Sequence, residues 1–253
     1  MALQVHQFPC LQDNYGFLIR DQATGTVGCV DTPDAAATLE QLSRLGWELD
    51  LILNTHWHPD HAGGNAELKS RTGCQIVGPQ EVTRIAPLDR PVVDGDVVDL
   101  GETRLQVMET GGHTLGHLSY YDSADAVVFV GDTLFALGCG RLFEGTAEQM
   151  WTSLSRLAAL PDDTLVYCAH EYTASNARFA LSVDGGPALK TRAEAVFAAR
   201  DRGEPTVPTR IGAEKAANPF LRAPQLKAGL GLGAASDVEA FAAVRRAKDA
   251  FRG

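Results

Sequence analysis

THWHPDHAGG, residues 55–64, places three histidines and an aspartate within the six positions from His56 to His61. The whole chain has only seven histidines. Crowding three imidazoles onto one short loop serves no packing purpose. It suits a metal, since zinc-like ions take imidazole nitrogens at roughly 2.0–2.1 Å. His56 and His58, two apart on an extended loop, can turn to one side and hold one ion, while Asp60 and His61 face another. The run in front, LDLILNT at 49–55, has a buried-strand pattern, so the cluster begins where a strand ends.

The same pattern recurs outward along the chain. TRLQVMET, 103–110, runs into GGH and delivers His113; AVVFVG, 126–131, delivers Asp132; TLVYCA, 164–169, delivers His170. Loops at strand ends are where layered α/β folds gather a site. Seven candidate ligands (His56, His58, Asp60, His61, His113, Asp132 and His170) exceed what one four- or five-coordinate ion takes. With one carboxylate shared they suit two ions at about 3.5–4 Å. The donors are nitrogen and oxygen without thiolate, which admits zinc, iron or manganese. His117, four after His113 in HTLGH, reads as structural, because glycines flank it and β-rich LSYY follows. The lone His6 reads as a half-buried strand residue.

Short strands fill the first two-thirds: LQVHQF (3–8), YGFLIR (15–20), GTVGCVD (25–31), LDLILNT, CQIVGP, VVDL, TRLQVMET, HLSYYD, AVVFVGD and TLVYCAH. Two helices interrupt them. DAAATLEQLSRLG, 34–46, has leucines at helical spacing and a terminal glycine, and the other carries Met150, Leu154 and Leu157. Beyond 172 the sequence turns Ala- and charge-rich and helical, with a four-proline loop at 203–224 and no strand candidate. An α/β domain over 1–172 and a helical domain over 173–253 are expected.

Composition narrows the function. A net charge of −10 disfavours nucleic acid, whose binding needs a basic surface. No apolar run approaches the roughly 20 residues that span a bilayer, and the N-terminus has no basic start or apolar signal core. Five cysteines, odd in number and irregularly spaced, fit reduced thiols. A cytoplasmic protein, without membrane or nucleic-acid partners and monomeric, is expected.

THWHPDHAGG resembles the HxHxDH signature of the metallo-β-lactamase superfamily, and GGHTLGHLSYY, FVGDTLF and CAHEYT match its remaining ligand motifs in order. The resemblance implies an αβ/βα four-layer sandwich, here with a C-terminal α-helical domain. It also implies His56, His58 and His113 on one divalent ion, Asp60, His61 and His170 on a second, and Asp132 bridging. Zinc is the expected metal. DNYGFLI (13–19), GCGRLFEGT (138–146), HEYT (170–173), NPFLR (218–222) and RRAKD (245–249) resemble more closely the glyoxalase II, or hydroxyacylglutathione hydrolase, family. By that resemblance the substrate is S-D-lactoylglutathione, cleaved to D-lactate and glutathione in the second step of methylglyoxal detoxification. Arg141, Phe143, Tyr172, Arg245 and Lys248 would bind the glutathione. Arg141 stands where relatives often carry lysine and keeps the cation. Phe143 stands where they often carry tyrosine and lacks the hydroxyl.

The chemistry implied is attack on the thioester carbonyl by hydroxide formed at neutral pH between two metals, with Asp60 as a residue that orients it. The leaving thiolate comes from a thiol with a pKa near 8.5 and departs without a dedicated acid. A persulfide dioxygenase or lactonase of the same superfamily is disfavoured by the complete second ligand set and by NPFLR and RRAKD. A metal-binding scaffold without turnover is disfavoured because no ligand is missing.

Overall fold

The computed structural model describes residues 2–253, which form two compact units: 2–109 with 116–131, and 110–115 with 132–253. In the first unit the strands are β1 (Leu3–Cys10), β2 (Asn14–Asp21), β3 (Val27–Val30), β4 (Leu51–Leu53), β5 (Gln75–Gly78) and β6 (Arg90–Pro91), hydrogen-bonded in that order into one sheet. β1–β2–β3 are antiparallel, whereas β3 to β6 run parallel. The parallel joins need crossovers. α1 (Ala35–Leu45) is one, capped by the Asp34 side chain at its start and by left-handed Gly46 at its end, as its sequence leads one to expect. α2 (Pro59–Ala62) and α3 (Asn65–Thr72) make the next. Leu18, Cys29, Ile52, Leu68 and Ile76 pack into a core that excludes water almost completely. β7 (Val97–Leu100), β8 (Thr103–Glu109), β9 (Leu118–Asp122) and β10 (Val127–Gly131) follow as an antiparallel meander.

The second unit holds a hairpin of β11 (Leu134–Phe135) and β12 (Gly138–Cys139), then α4 (Ala147–Ala158) and β13 (Leu165–Cys168). α5 (Thr173–Val183) and α6 (Pro187–Asp201) come next. The four-proline stretch, read as loop, is more ordered than its composition suggests. It contains β14 (Thr209–Arg210), paired antiparallel with β13, then α7 (Ile211–Ala217) and α8 (Ala223–Leu226). Its prolines stand outside α7, and Glu214 inside it finds buried partners, so local propensity yields to tertiary bonding. α9 (Asp237–Ala250) closes the chain, its start fixed by a capping box between Ser236 and Glu239. Among the described residues no helix is long and apolar enough to cross a membrane.

Candidate metal centre and cavity

In the first unit β4 ends at Leu53, and the backbone then turns through Thr55 to His56. Pro59, at the first position of α2, suits the turn that carries Asp60 and His61, because its missing N–H would have had no helical partner. His56 Nε2 and His58 Nδ1 lie 3.1 Å apart, and His61 Nε2 lies 3.5 Å from Asp60 Oδ2.

Asp31, which the sequence did not single out, governs this cluster. Its Oδ2 accepts from the Thr55 hydroxyl at 2.7 Å and from His61 Nδ1 at 2.8 Å, and its Oδ1 accepts from Thr55 N at 2.8 Å. The Thr55 proton is thereby committed, so His56 Nδ1, 3.0 Å from Thr55 Oγ1, must be the donor in that contact. Both His56 and His61 then carry their protons on Nδ1 and keep the Nε2 lone pairs for a metal. A carboxylate that fixes ligand tautomers is the usual partner of a metal-binding histidine. The signal for Asp31 was available, since GTVGCVD is another strand ending in a carboxylate.

The second unit presents the complementary groups. Asp132 Oδ2 lies 3.4 Å from His113 Nε2, and Asp132 Oδ1 lies 3.3 Å from His170 Nε2. One carboxylate thus faces two imidazoles with a different oxygen for each, the arrangement a bridging ligand needs. His113 Nδ1 donates to the Arg141 carbonyl at 2.8 Å, which again assigns Nε2 as the lone-pair nitrogen. Two glycines make room. At Gly131, where φ is +45°, a Cβ would fall 2.6 Å from His117 Nε2, and at Gly140 it would overlap the Asp132 carbonyl oxygen. The donor set therefore fits divalent transition ions: imidazole and carboxylate, with the imidazole nitrogens pre-oriented. His117 is fully buried and stacks on His56 at 4.8 Å, and His6 stacks on Phe8 and meets Gln41, both as their sequence contexts imply.

A cavity of about 470 Å³ in the second unit is lined by His113 and Asp132 together with all five residues assigned to substrate: Arg141, Phe143, Tyr172, Arg245 and Lys248. Phe143 is 62% exposed and stands edge-on to His113 at 5.2 Å. Tyr172 stacks flat on His170, with ring centres 4.7 Å apart and an interplanar angle of 3°. Arg141 is exposed and Lys248 half-buried. Arg245 is different. It is 4% exposed, donates to the Cys139 carbonyl at 2.8 Å and to Asp249 at 2.9 Å, and covers the Phe220 ring at 4.9 Å. Only its buried Nε lacks a partner. Burial, reinforced by the nearby charges of Arg245 and Arg141, pulls the Lys248 ammonium down to about 8.

Residues 25–170 match the family description "Metallo-beta-lactamase superfamily", and residues 171–251 match "Hydroxyacylglutathione hydrolase C-terminus". Hydroxyacylglutathione hydrolase of Maricaulis maris (strain MCS10) is 54% identical over 253 residues, covering 98% of this chain and 99% of that protein. The chain belongs to the hydroxyacylglutathione hydrolase family. The enzyme of that name from Erythrobacter litoralis (strain HTCC2594) is 50% identical, covering 98% of this chain and all of its own. Among solved structures, ETHE1 from Myxococcus xanthus gives a TM-score of 0.70 at 28% identity, covering 96% of this chain and 90% of that one. TTHA1623 in a di-iron-bound form gives 0.62 at 26%, covering 86% of this chain and 100% of that one. Like other hydroxyacylglutathione hydrolase relatives, the chain has the metallo-β-lactamase fold of two mixed sheets followed by a helical C-terminal domain.

Proposed function

We propose that the protein hydrolyses the thioester of S-D-lactoylglutathione and related 2-hydroxyacylglutathiones, releasing D-lactate and glutathione, the second step of methylglyoxal detoxification. The observation that carries this reading is a single cavity lined both by His113 and Asp132 and by three cations, Arg141, Arg245 and Lys248. The end-to-end identity with the Maricaulis enzyme supports it. In this reading His56, His58 and His113 hold one divalent ion, Asp60, His61 and His170 a second, and Asp132 both. Zinc is the metal proposed, and the donor set also accepts iron or manganese. Bound there, two such ions supply a nucleophile from water at neutral pH and a counter-charge for the oxyanion.

The chain's own residues do the rest. Asp60 Oδ2, steadied by Asn14 Nδ2 at 3.2 Å, orients the attacking nucleophile. Asp132 turns one carboxylate oxygen to His113 and the other to His170. Arg141, Lys248 and the spare Nε of Arg245 receive the glutathione carboxylates, while Tyr172 and Phe143 offer ring surface to its backbone. No side chain need protonate the leaving thiolate. We place the catalytic part at 1–172 and the helical substrate-binding part at 173–253. Five free thiols fit a reducing cytoplasm, and we propose that the protein works there as a monomer.

Comparison of S-D-lactoylglutathione with the lactoyl thioester of N-acetylcysteamine, which lacks both carboxylates, tests the substrate. The glutathione thioester should have a kcat/KM larger by at least about tenfold, the worth of one charge-assisted hydrogen bond. Equal rates, or no turnover of either, would overturn the assignment.

Lys248 adds a pH signature. Its ammonium is present below about 8 and lost above it, so the KM for the anionic substrate should climb as pH rises from 7 to 9.5. Lys248→Arg keeps its charge across that window and should flatten the climb. A parent KM that stays level to pH 9.5 would remove Lys248 from substrate binding.

A further inference from the structure

We propose that Asn218 and Glu214 are positioning residues: they clamp the β11–β12 hairpin, and through it set the geometry of Asp132 and His113. The inference rests on the binuclear reading above. A ribbon of two pairs, Leu134 with Cys139 and Phe135 with Gly138, is too short to hold its own shape. Its tip, Leu137, has a φ of 58°, a left-handed conformation that a leucine adopts only when its surroundings impose it.

Those surroundings come from the helical part of the chain. Glu214 Oε2 accepts from Leu137 N at 2.9 Å. Asn218 Nδ2 reaches the carbonyls of Phe135 at 3.2 Å and Gly138 at 2.9 Å. Asn176 Nδ2 takes the Ala136 carbonyl at 3.1 Å, and Arg245 takes that of Cys139. Glu214 itself is fully buried, with its charge met by Arg192 and by the Thr209 hydroxyl at 2.6 Å. The same carboxylate therefore joins Arg192 of α6, Thr209 of β14 and Asn218 to the tip of the ribbon.

The ribbon carries the consequence to the ligands. Two residues before β11 stands Asp132, and two residues after β12 stands Arg141, whose carbonyl receives the His113 Nδ1 proton. Gly140 N bonds to the Thr133 carbonyl at 3.2 Å, so both ends of the ribbon are tied side by side. Movement of the ribbon therefore displaces the bridging carboxylate and turns His113 together. Metal geometry tolerates displacement of only about 0.5 Å.

The test is chelator competition on zinc-loaded, full-length protein. Asn218→Ala should release at least one of its two ions about tenfold more readily than the parent, the usual scale for loss of a group that orients a ligand. Leu42→Ala, on α1 in the apolar core of the first unit, serves as a control of comparable thermal destabilisation and should keep the parent's metal affinity. If Asn218→Ala does not fold, Asn176→Ala, which loses only the bond to Ala136, replaces it with the same expectation. A parent that binds two ions, with variants that hold them equally tightly, would overturn the clamp. Equal loosening in Leu42→Ala would overturn it as well. A parent that takes up no metal would instead overturn the binuclear reading on which the clamp depends.

Discussion

Asp132→Ala should lose metal and turnover together, with kcat falling more than about a hundredfold. The lower bound follows from outer groups that merely orient a ligand, whose removal costs 10–100-fold. Asp132 is closer to the centre than these. It is 7% exposed, and its two oxygens face His113 Nε2 at 3.4 Å and His170 Nε2 at 3.3 Å. Without it, His113 and His170 lose the anion that both face. Asp132→Asn keeps the shape but halves the acceptor capacity and removes the charge, so it should fail nearly as badly. Metal analysis of the purified variants alongside kinetics is the check. Either variant retaining two ions and normal turnover would contradict a bridging role.

Arg245→Ala should cost stability as well as substrate affinity, by about 2–4 kcal/mol. The guanidinium is buried, so its removal strands the Cys139 carbonyl, worth roughly 1–3 kcal/mol for an unsatisfied buried group, and uncovers the Phe220 ring. The contact with Asp249 adds little because that carboxylate is 47% exposed. For a chain of this length the loss should lower Tm by roughly 5–15 °C. Lys248→Ala, at a half-buried amine, should raise KM with little change in kcat or Tm, the pattern of lost uniform binding. An Arg245→Ala variant with unchanged Tm and a raised KM alone would show that the residue serves only the substrate.

Arg245 also marks how far the sequence can be read. RRAKD as a charge run fits a solvated helix face, and its motif pointed to substrate; neither reveals that Arg245 turns inward onto backbone carbonyls about a hundred residues away while Lys248 stays half-buried. The candidate metal ligands were legible because they follow the ends of hydrophobic strands, and the periodicity of strands is local. Asp31 obeyed the same rule yet passed unnoticed, since a single carboxylate after GTVGCV carries no company to raise suspicion. Glu214 and Asn218 gave no signal at all. Their partners are the backbone groups of Leu137, Phe135 and Gly138, and bonds to backbone over some eighty residues leave no trace in side-chain spacing. α1 lay at the other extreme, with Asp34 and Gly46 written at its two ends.

In the proposed function, two ions held by the seven histidine and aspartate residues make this chain a glutathione thioester hydrolase. Titration of metal-stripped protein with zinc, following bound metal and hydrolysis of S-D-lactoylglutathione in the same samples, tests it most directly. Activity should be absent without metal and should rise until two ions are bound per chain. Full activity in the stripped protein, or at a single ion per chain, would contradict it.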